Sequence, residues 1–501
     1  MQHRVRVCSF ADRDVVLQGW EGAWGDGPDG DGWSWGGGVL SFSVAAAAGA
    51  PQGSPGRPHR LMFTDDGFLH NSVDGARTWN ALYVKANKRN PLGAKTPVAQ
   101  SWQGNGLMDQ SSHYVAWASA TDVFAAYTDI RGTVSKSGGE TWSYHYSGHN
   151  LNTMYRTVSN PRSHTIYAAT SSVHDMYQST HLTDKSIDNG DGRILATQNG
   201  GSDWVTIYDA KMPVIWLSKD PLRPSRLYAS AIHSSRGGVL VCDGVAGSEP
   251  VSCAKLSAPP RTQGHPYTVE ALPDGALVVS YSGRMDNARH TFYNSSGVFF
   301  LPHDAACLVP GRTSTPCNWE DRSDPRLIYW MKELVVDPLD ASGSTWFACV
   351  FTDWGVTRHD GKPSRGGLYR TKDRGITWSA RLDGVPHNGD DMGSANIDSV
   401  SVIQLPGAMQ AAEVYMTTEG AGLWHSQYDP TKADGGLKFS QLRAYPFSHP
   451  TRVLQNPFNA SELWITSFGN GLYSGLADVR AKTDDLGWSR GTAAAPVPRA
   501  K

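Results

Sequence analysis

Four eight-residue stretches share one pattern: Ser72-Val-Asp-Gly-Ala-Arg-Thr-Trp79, Ser135-Lys-Ser-Gly-Gly-Glu-Thr-Trp142, Thr197-Gln-Asn-Gly-Gly-Ser-Asp-Trp204 and Thr371-Lys-Asp-Arg-Gly-Ile-Thr-Trp378. In this turn motif, the side chain at the third position can hydrogen-bond its own turn. The glycine supplies a positive φ, and the tryptophan has a large apolar surface to bury. The pattern therefore predicts hairpin turns in which the third-position residues are structural and not catalytic. These residues are Asp74, Ser137, Asn199 and Asp373.

The spacing of the turn motifs indicates a repeat. They begin at residues 72, 135, 197 and 371, so two intervals are close to 60 residues and the last is close to three such units. A tyrosine- and valine-rich segment typical of a second strand recurs in each unit, at 60–65, 123–129, 165–171, 226–231, 276–282, 344–353, 413–419 and 462–468. Units of this length suit four-stranded blades, so we predict an all-β fold with a single β-propeller.

Eight blades are favoured, and seven are the alternative. We expect the propeller to span residues 1–490, with an Ala/Pro-rich tail at 491–501. The N-terminal segment is expected to supply the fourth strand of the last blade, because ring closure removes exposed sheet edges.

Composition excludes several classes of protein. The 501 residues are 39% hydrophobic and 18% charged, and the net charge of −2 gives no basic field for nucleic acid. The sequence has no apolar run long enough for a membrane span, so we expect no membrane partner. We predict no metal and no cofactor, a monomer, and a secreted or extracellular location with any signal peptide outside this chain.

Six cysteines bear on that location. Cys242 and Cys253 flank one short loop, and Cys307 and Cys317 flank another, so each pair can close a hairpin with a disulfide. Cys8 and Cys349 remain for a third pairing if the N-terminal strand packs near the sixth repeat. The alternative is that all six are buried free thiols.

Propeller topology separates two faces. Turns between third and fourth strands share one face with turns between first and second strands; we call this the motif face. The remaining connections form the front face, where three long polar loops lie at 171–192, 282–297 and 352–367. Long loops on one face build clefts, so we predict a ligand cleft there. Its expected substrate-binding residues are Arg131, His174, Tyr177, His233, Arg284, Trp354, Arg358 and His359.

Three second strands end in an aromatic residue, a threonine and an aspartate. The aspartates are Asp65, Asp129 and Asp353. A carboxylate at the rim of a pore is well placed to be desolvated and to act as an acid or a base. The alternative is that it caps backbone N–H groups.

The turn motif resembles the Asp-box (BNR) repeat of sialidases, sortilin and xyloglucanases. Ala126-Tyr-Thr-Asp-Ile-Arg-Gly132 resembles a catalytic element of the xyloglucanase family, glycoside hydrolase family 74. Phe351-Thr-Asp-Trp-Gly-Val-Thr-Arg-His359 is a looser match to that family's second element. The resemblance implies that Asp129 and Asp353 are an acid–base pair. Arg131 stands where the family has glycine, and this chain has one ring where the family has two propellers.

Three functions remain open. The first is a glycosidase acting on a plant or algal polysaccharide, with Asp129 paired with Asp353 or Asp65. The second is a lyase acting on a uronate-bearing glycan, in which arginine neutralises the carboxylate and His174 or Tyr177 takes the C5 proton. The third is a non-catalytic extracellular module that binds a glycan or a protein.

Overall fold

A computed structural model describes a nearly all-β chain. It describes residues 41–45, 60–64, 69–76, 78–89, 101–104, 110–160, 164–174, 176, 184–246, 250–262, 264–282, 285–286, 291–327, 331–351, 366–382, 384–385, 396–406, 412–477 and 488–490. None of the helices in these ranges is long and apolar enough to cross a membrane.

The described strands form eight antiparallel sheets and one small hairpin. The first sheet contains β1 (Ser41–Ala45), β2 (Arg60–Thr64), β3 (Leu69–Ser72) and β4 (Asn80–Ala81). The second contains β5 (Ser112–Trp117), β6 (Val123–Tyr127) and β7 (Gly132–Ser135). The third contains β8 (Thr153–Asn160), β9 (Thr165–Ser171), β10 (Arg193–Thr197) and β11 (Val205–Asp209). The fourth contains β12 (Val214–Lys219), β13 (Arg226–Ala231), β14 (Gly238–Asp243) and β15 (Ser252–Lys255).

The second half of the chain repeats this arrangement. The fifth sheet contains β16 (Pro266–Ala271), β17 (Leu277–Tyr281), β20 (Gly297–Leu301) and β21 (Glu320–Asp321); β18 (Met285–Asp286) and β19 (Thr291–Phe292) form the small hairpin. The sixth contains β22 (Met331–Val336), β23 (Trp346–Val350) and β24 (Gly367–Thr371). The seventh contains β25 (Asn396–Ile403), β26 (Ala412–Glu419), β27 (Gly422–Tyr428) and β28 (Ser440–Gln441). The eighth contains β29 (Pro450–Asn456), β30 (Asn459–Ser467), β31 (Leu472–Leu476) and β32 (Trp488–Arg490).

Helical segments are short. Helix α1 spans Asp184–Asp188, and single 3₁₀ turns span Ala86–Lys88, Ala306–Leu308 and Pro325–Leu327. The predicted second strands are confirmed, since β2, β6, β9, β13, β17, β23, β26 and β30 all lie in the middle of their sheets.

The first strands of seven sheets form a closed circle. In order, β5, β8, β12, β16, β22, β25 and β29 pack side by side, and β29 returns to β5. Hydrogen bonds close the circle: Ser112 Oγ donates to the Gly471 carbonyl at 2.8 Å, and Thr451 Oγ1 donates to the Ser112 carbonyl at 3.1 Å. The described part of the chain therefore places seven blades around the axis.

The first sheet lies outside this circle, and the predicted count of eight blades is not confirmed. After β4 the chain reaches Trp102, which exchanges two backbone hydrogen bonds of 2.8 Å with Trp142, beyond β7. The first sheet is therefore joined to the outer edge of the second sheet and supplies no strand to the circle described above. The strand beside β31 is β32, from the C-terminal part of the chain, where we expected an N-terminal strand. Residues 1–40 and the tail at 491–501 lie outside the described residues.

The turn motifs have the predicted structural role. Asp74 accepts hydrogen bonds from the backbone N–H and the hydroxyl of Thr78 at 3.0 and 2.6 Å, and Ser72 Oγ accepts one from the Ala76 N–H at 2.9 Å. The equivalent contacts run from Thr141 N–H to Ser137 Oγ (2.8 Å), from Asp203 N–H to Asn199 Oδ1 (3.0 Å) and from Thr377 N–H to Asp373 Oδ1 (2.9 Å).

Ion pairs fix these motifs to one face. Lys136, in the second motif, lies 2.9 Å from Asp122 in the β5–β6 turn. Arg374, in the fourth, lies 2.7 Å from Asp274 in the β16–β17 turn. The turn motifs and the turns between first and second strands therefore share the motif face, as predicted.

Two disulfides replace the turn motif in the fourth and fifth sheets. Cys242 and Cys253 join β14 to β15, and Cys307 and Cys317 close the connection between β20 and β21. Both predicted hairpin disulfides are thus confirmed. Cys349 is a buried free thiol, and burial raises its pKa. Cys8 lies outside the described residues.

Candidate functional site

Asp129 lies at the front face, in a tight turn between β6 and β7. Both Asp129 and Arg131 have positive φ, 61° and 71°, which is rare for residues with a side chain. Such backbone strain is concentrated at functional sites. Asn152, just before β8, donates its amide to Asp129 Oδ1 at 3.0 Å, and His174 Nδ1 lies 4.0 Å from the same oxygen.

This rim site brings together two of the predicted residues from neighbouring blades. The side chain of Asp129 is 31% exposed and that of His174 is 59% exposed, so both are open to a ligand. Arg131 lies next to them, and its charge also acts on buried His149. Burial first, and then the positive charge of Arg131, lower the pKa of His149 to about 3.

His233 makes local contacts in the turn after β13, and its substrate-binding role stays a prediction. Its Nδ1 accepts hydrogen bonds from the backbone N–H groups of Ser235 and Arg236 at 3.1 and 3.2 Å. The same nitrogen lies 3.5 Å from Asp188 of α1. The two backbone hydrogen bonds stabilise the turn after β13, and α1 is held there by Ser234, whose N–H and hydroxyl donate to Asp188 at 2.8 and 2.5 Å.

Several predicted residues lie outside the described residues, so their positions stay predictions. Among the catalytic candidates these are Asp65 and Asp353, and among the substrate-binding candidates they are Tyr177, Arg284, Trp354, Arg358 and His359.

A second cluster, absent from the sequence predictions, lies on the propeller axis below the front face. A cavity of about 50 Å³ is enclosed there by side chains from all seven first strands. We call it the axial pocket. Lys332 and Asp398 lie on its wall with Nζ and Oδ1 3.7 Å apart, and His449 Nε2 lies 3.3 Å from Asp398 Oδ2. Its other lining residues are His113, Tyr155, Met176, Ile215, Trp216, Tyr267, Thr451 and Arg452.

One oxygen of the axial pocket is available to a ligand. The Asp398 side chain is 2% exposed, and Oδ2 accepts no hydrogen bond from the described residues. His449 is close but is not aligned to donate one. A buried carboxylate oxygen without a donor is costly, so a hydroxyl group or a water molecule has a ready acceptor there.

Glu419 adds a second carboxyl group to this region. It ends β26 and accepts a hydrogen bond from the Asn396 amide at 2.8 Å. Burial first, and then the charge of Asp398, raise the pKa of Glu419 above its usual value. Burial lowers the pKa of Lys332, although Asp398 and Glu419 oppose this. The two carboxyl groups therefore sit in different environments.

An ionic layer forms the floor of the axial pocket. Arg452 pairs with Glu333 at 2.7 Å, and Arg156 lies 3.8 Å from Glu270. Both guanidinium groups stack on Trp216, at 4.3 Å for Arg156 and 5.4 Å for Arg452. Charge pairing and stacking together hold these side chains across the middle of the channel. We call this group the ionic floor.

The sequence carried one signal for this site. First strands in a propeller line the channel, and 331–336 and 396–403 each place charged residues inside a largely buried strand. Charged residues are almost never fully buried unless they are paired. A search for charges within first strands would therefore have found Lys332, Glu333 and Asp398. The described residues contain no group of three or more His, Cys, Asp or Glu side chains suited to a metal ion.

Comparison with known proteins supports the fold. No protein-family model and no curated protein matches this chain. The crystal structure of an ancestral GH74 enzyme aligns with a TM-score of 0.51 and 14% identity, covering 79% of this chain and 48% of that one. This chain thus spans about half the length of that enzyme.

Two further similar structures are of different proteins. YCF48 bound to D1 peptide aligns with a TM-score of 0.46 and 14% identity over 80% of this chain and 99% of that one. The periplasmic gluconolactonase PpgL of Pseudomonas aeruginosa aligns at 0.44 and 13% identity over 77% and 96%. At such identities the likeness is one of fold, and the activities named belong to those proteins.

Proposed function

We propose that this protein is a glycoside hydrolase that cleaves a polysaccharide at its front face. The observation that carries the proposal is the presence of two interacting carboxyl groups, Glu419 and Asp398, near the axial pocket, with Lys332 Nζ 3.7 Å from Asp398. Glycosidases need one carboxylic acid to protonate the leaving oxygen and one carboxylate to activate water or attack the sugar.

The surroundings assign the two roles. The raised pKa of Glu419 keeps its carboxyl group protonated to higher pH, as a general acid requires. Asp398 lies 3.7 Å from Lys332 Nζ and 3.3 Å from His449 Nε2, and we give it the role of base or nucleophile. The aromatic rings of Tyr155 and Tyr267 line the same pocket.

Asp129 has a place in this proposal as a residue of the substrate cleft. We propose that Asp129 and His174 bind sugar units next to the cleavage point, with Arg131 beside them. The alternative is the catalytic pair inferred from the family resemblance, Asp129 with Asp353 or Asp65. The two alternatives differ in what an amide substitution at Asp129 does to turnover.

The experiment is a polysaccharide panel followed by three amide variants. We expect Glu419→Gln and Asp398→Asn each to lower kcat by a factor of about 10²–10⁴, as for loss of an acid or base. Asp129→Asn should raise KM with a smaller change in kcat. Glu320→Gln, an exposed carboxylate in β21, is the matched control and should change neither. Near-normal kcat in both axial variants would refute the proposed pair, and a kcat collapse in Asp129→Asn alone would favour the alternative.

A lyase is the second candidate, because burial lowers the pKa of Lys332 and so suits it to act as a base. Product analysis separates the two enzymes. Hydrolysis adds water to each new end, whereas elimination leaves an unsaturated sugar that absorbs ultraviolet light. Binding without turnover across the panel would favour the non-catalytic module.

The two disulfides also lead us to propose an oxidising, extracytosolic location.

A further inference from the structure

A second cavity opens on the motif face, on the other side of the ionic floor. Its volume is about 520 Å³, within the range of ligand pockets. The distal halves of the first strands line it, and we call it the motif-face funnel. Its wall is largely apolar, formed by Val158, Val335, Val336, Val402, Leu454 and Pro457.

The funnel carries an excess of positive charge. Its charged lining residues are Arg156, Lys219, Arg452 and Glu333, and the Glu333 carboxylate is taken up by Arg452. Lys219 Nζ donates to the Ser159 carbonyl and has no acidic partner among the described residues. Arg156 is already paired with Glu270 at 3.8 Å in the ionic floor, so Lys219 is the cation that lacks an acidic partner in the described part of the chain. A carboxylate entering the funnel would supply that partner.

Three turns beside the funnel share a sequence that the turn motif does not explain. They are Asp220-Pro221-Leu222, Asp337-Pro338-Leu339 and Asn456-Pro457-Phe458, each between a first and a second strand. In each turn the Asp or Asn Oδ1 accepts the N–H of the apolar residue at 2.9 Å. The apolar side chains stay exposed: Leu222 by 60%, Leu339 by 37% and Phe458 by 53%.

This arrangement holds large apolar side chains in water at fixed positions. A hydrogen-bonded turn with proline restricts the backbone, so these side chains cannot withdraw without breaking it. Pro338 and Pro457 also line the funnel, so the apolar tips of their turns, Leu339 and Phe458, lie at its rim. Exposed apolar groups around a pocket mark an interaction surface.

We propose that the motif face docks a protein partner, which inserts an apolar segment bearing a carboxylate into the funnel. The carboxylate is the C-terminus of the partner, and it lies against Lys219. The apolar residues of the segment pack on the funnel wall, and the partner covers the tips. The tips favour a protein over a free amphipathic acid, because a small molecule held in the funnel leaves them exposed. The site is on the opposite face from the proposed glycosidase centre and does not depend on it.

The test uses an array of acetylated octapeptides whose last four positions carry all combinations of Ala, Val, Leu and Phe. Each is made with a free C-terminal carboxylate and as the amide, and binding to the full chain is measured by fluorescence anisotropy. We expect a subset of the carboxylate peptides to bind, and amidation to weaken them by about tenfold or more, as for loss of a charged hydrogen bond.

Variants locate the binding. Lys219→Met keeps the apolar stem and should weaken the same peptides about tenfold, whereas Lys372→Met, an exposed lysine on this face, should not. Phe458→Ser should weaken them, whereas Ile376→Ser, 67% exposed in the fourth turn motif, should not. Thermal unfolding checks that each variant is folded.

Three results would overturn the proposal. One is that no peptide of the array binds at millimolar concentration. Another is equal binding of carboxylates and amides, which would remove the anion site. The third is binding of decanoate that depends on Lys219 but not on Phe458, with no peptide competing; the funnel would then hold a free amphipathic acid and no protein partner.

Discussion

Replacing His149 by glutamine should remove part of the pH dependence of this protein's stability. The His149 side chain is buried between the second and third blades, with its residue 4% exposed, and Tyr146 stacks beside it. Burial and the charge of Arg131 lower its pKa in the folded state from 6.5 to about 3. The unfolded chain therefore binds more protons than the folded chain in this interval.

The sign and size follow from that difference. Because the unfolded state takes up the extra proton, the free energy of unfolding is greatest above about pH 7 and falls as the pH drops from about 6.5 towards 3. Between pH 8 and pH 5, only about the last 1.5 pH units lie below the pKa of the unfolded histidine. At 1.36 kcal/mol per unit, the free energy of unfolding therefore falls by about 2 kcal/mol. Burial also lowers the pKa of His113 to about 3, so this residue should lower the free energy of unfolding at pH 5 by a similar amount.

The assay is equilibrium urea unfolding at pH 8 and pH 5. Glutamine does not titrate, so the difference between the two free energies should shrink by about 2 kcal/mol in His149→Gln, whatever its cost at pH 8. The control is His145→Gln, an exposed histidine in the same segment, which should leave the difference unchanged. An unaltered pH difference in His149→Gln would refute the assignment of a buried neutral imidazole.

Three further changes test the architecture. Asp373→Ala should lower the free energy of unfolding by about 1–2 kcal/mol without changing turnover, because its hydrogen bonds serve the turn alone; lost activity in the folded variant would contradict this. Gly139→Ala should lower the free energy of unfolding by more than about 2 kcal/mol, because φ is 96° and the added methyl group would lie 2.3 Å from the Trp464 ring. A Tm equal to that of the wild type would show that the contact is not tight. Cys253→Ser opens the short loop from Cys242 and should lower the free energy of unfolding by about 2–3 kcal/mol, measured by urea unfolding. Reductant should lower the stability of the wild type by a similar amount. If neither change has an effect, the two thiols are not joined.

Local features of the sequence determined the strands, the turns and the two disulfides. The hydrogen bonds that close the turn span at most four residues, as from Asp74 to Thr78, so the residues that make the turn are neighbours in sequence. The disulfides follow the same logic, since Cys242 and Cys253 are 11 residues apart on paired strands. Second strands were equally visible, because burial on both faces leaves a continuous apolar run such as that of β6.

The number of blades and the axial pocket depended on tertiary structure alone. The ring closes through contacts such as that between Ser112 and Gly471, 359 residues apart, and no local pattern distinguishes a strand inside the ring from one at its outer edge. Lys332, Asp398 and His449 belong to three different blades, so their proximity follows from the packing of first strands around the axis. Asp129 ends a predictable strand, but its neighbour His174 comes from the next blade. Sequence therefore decided which segments pair within a blade, whereas the packing between blades decided which charged groups meet, because those contacts join residues far apart in the chain.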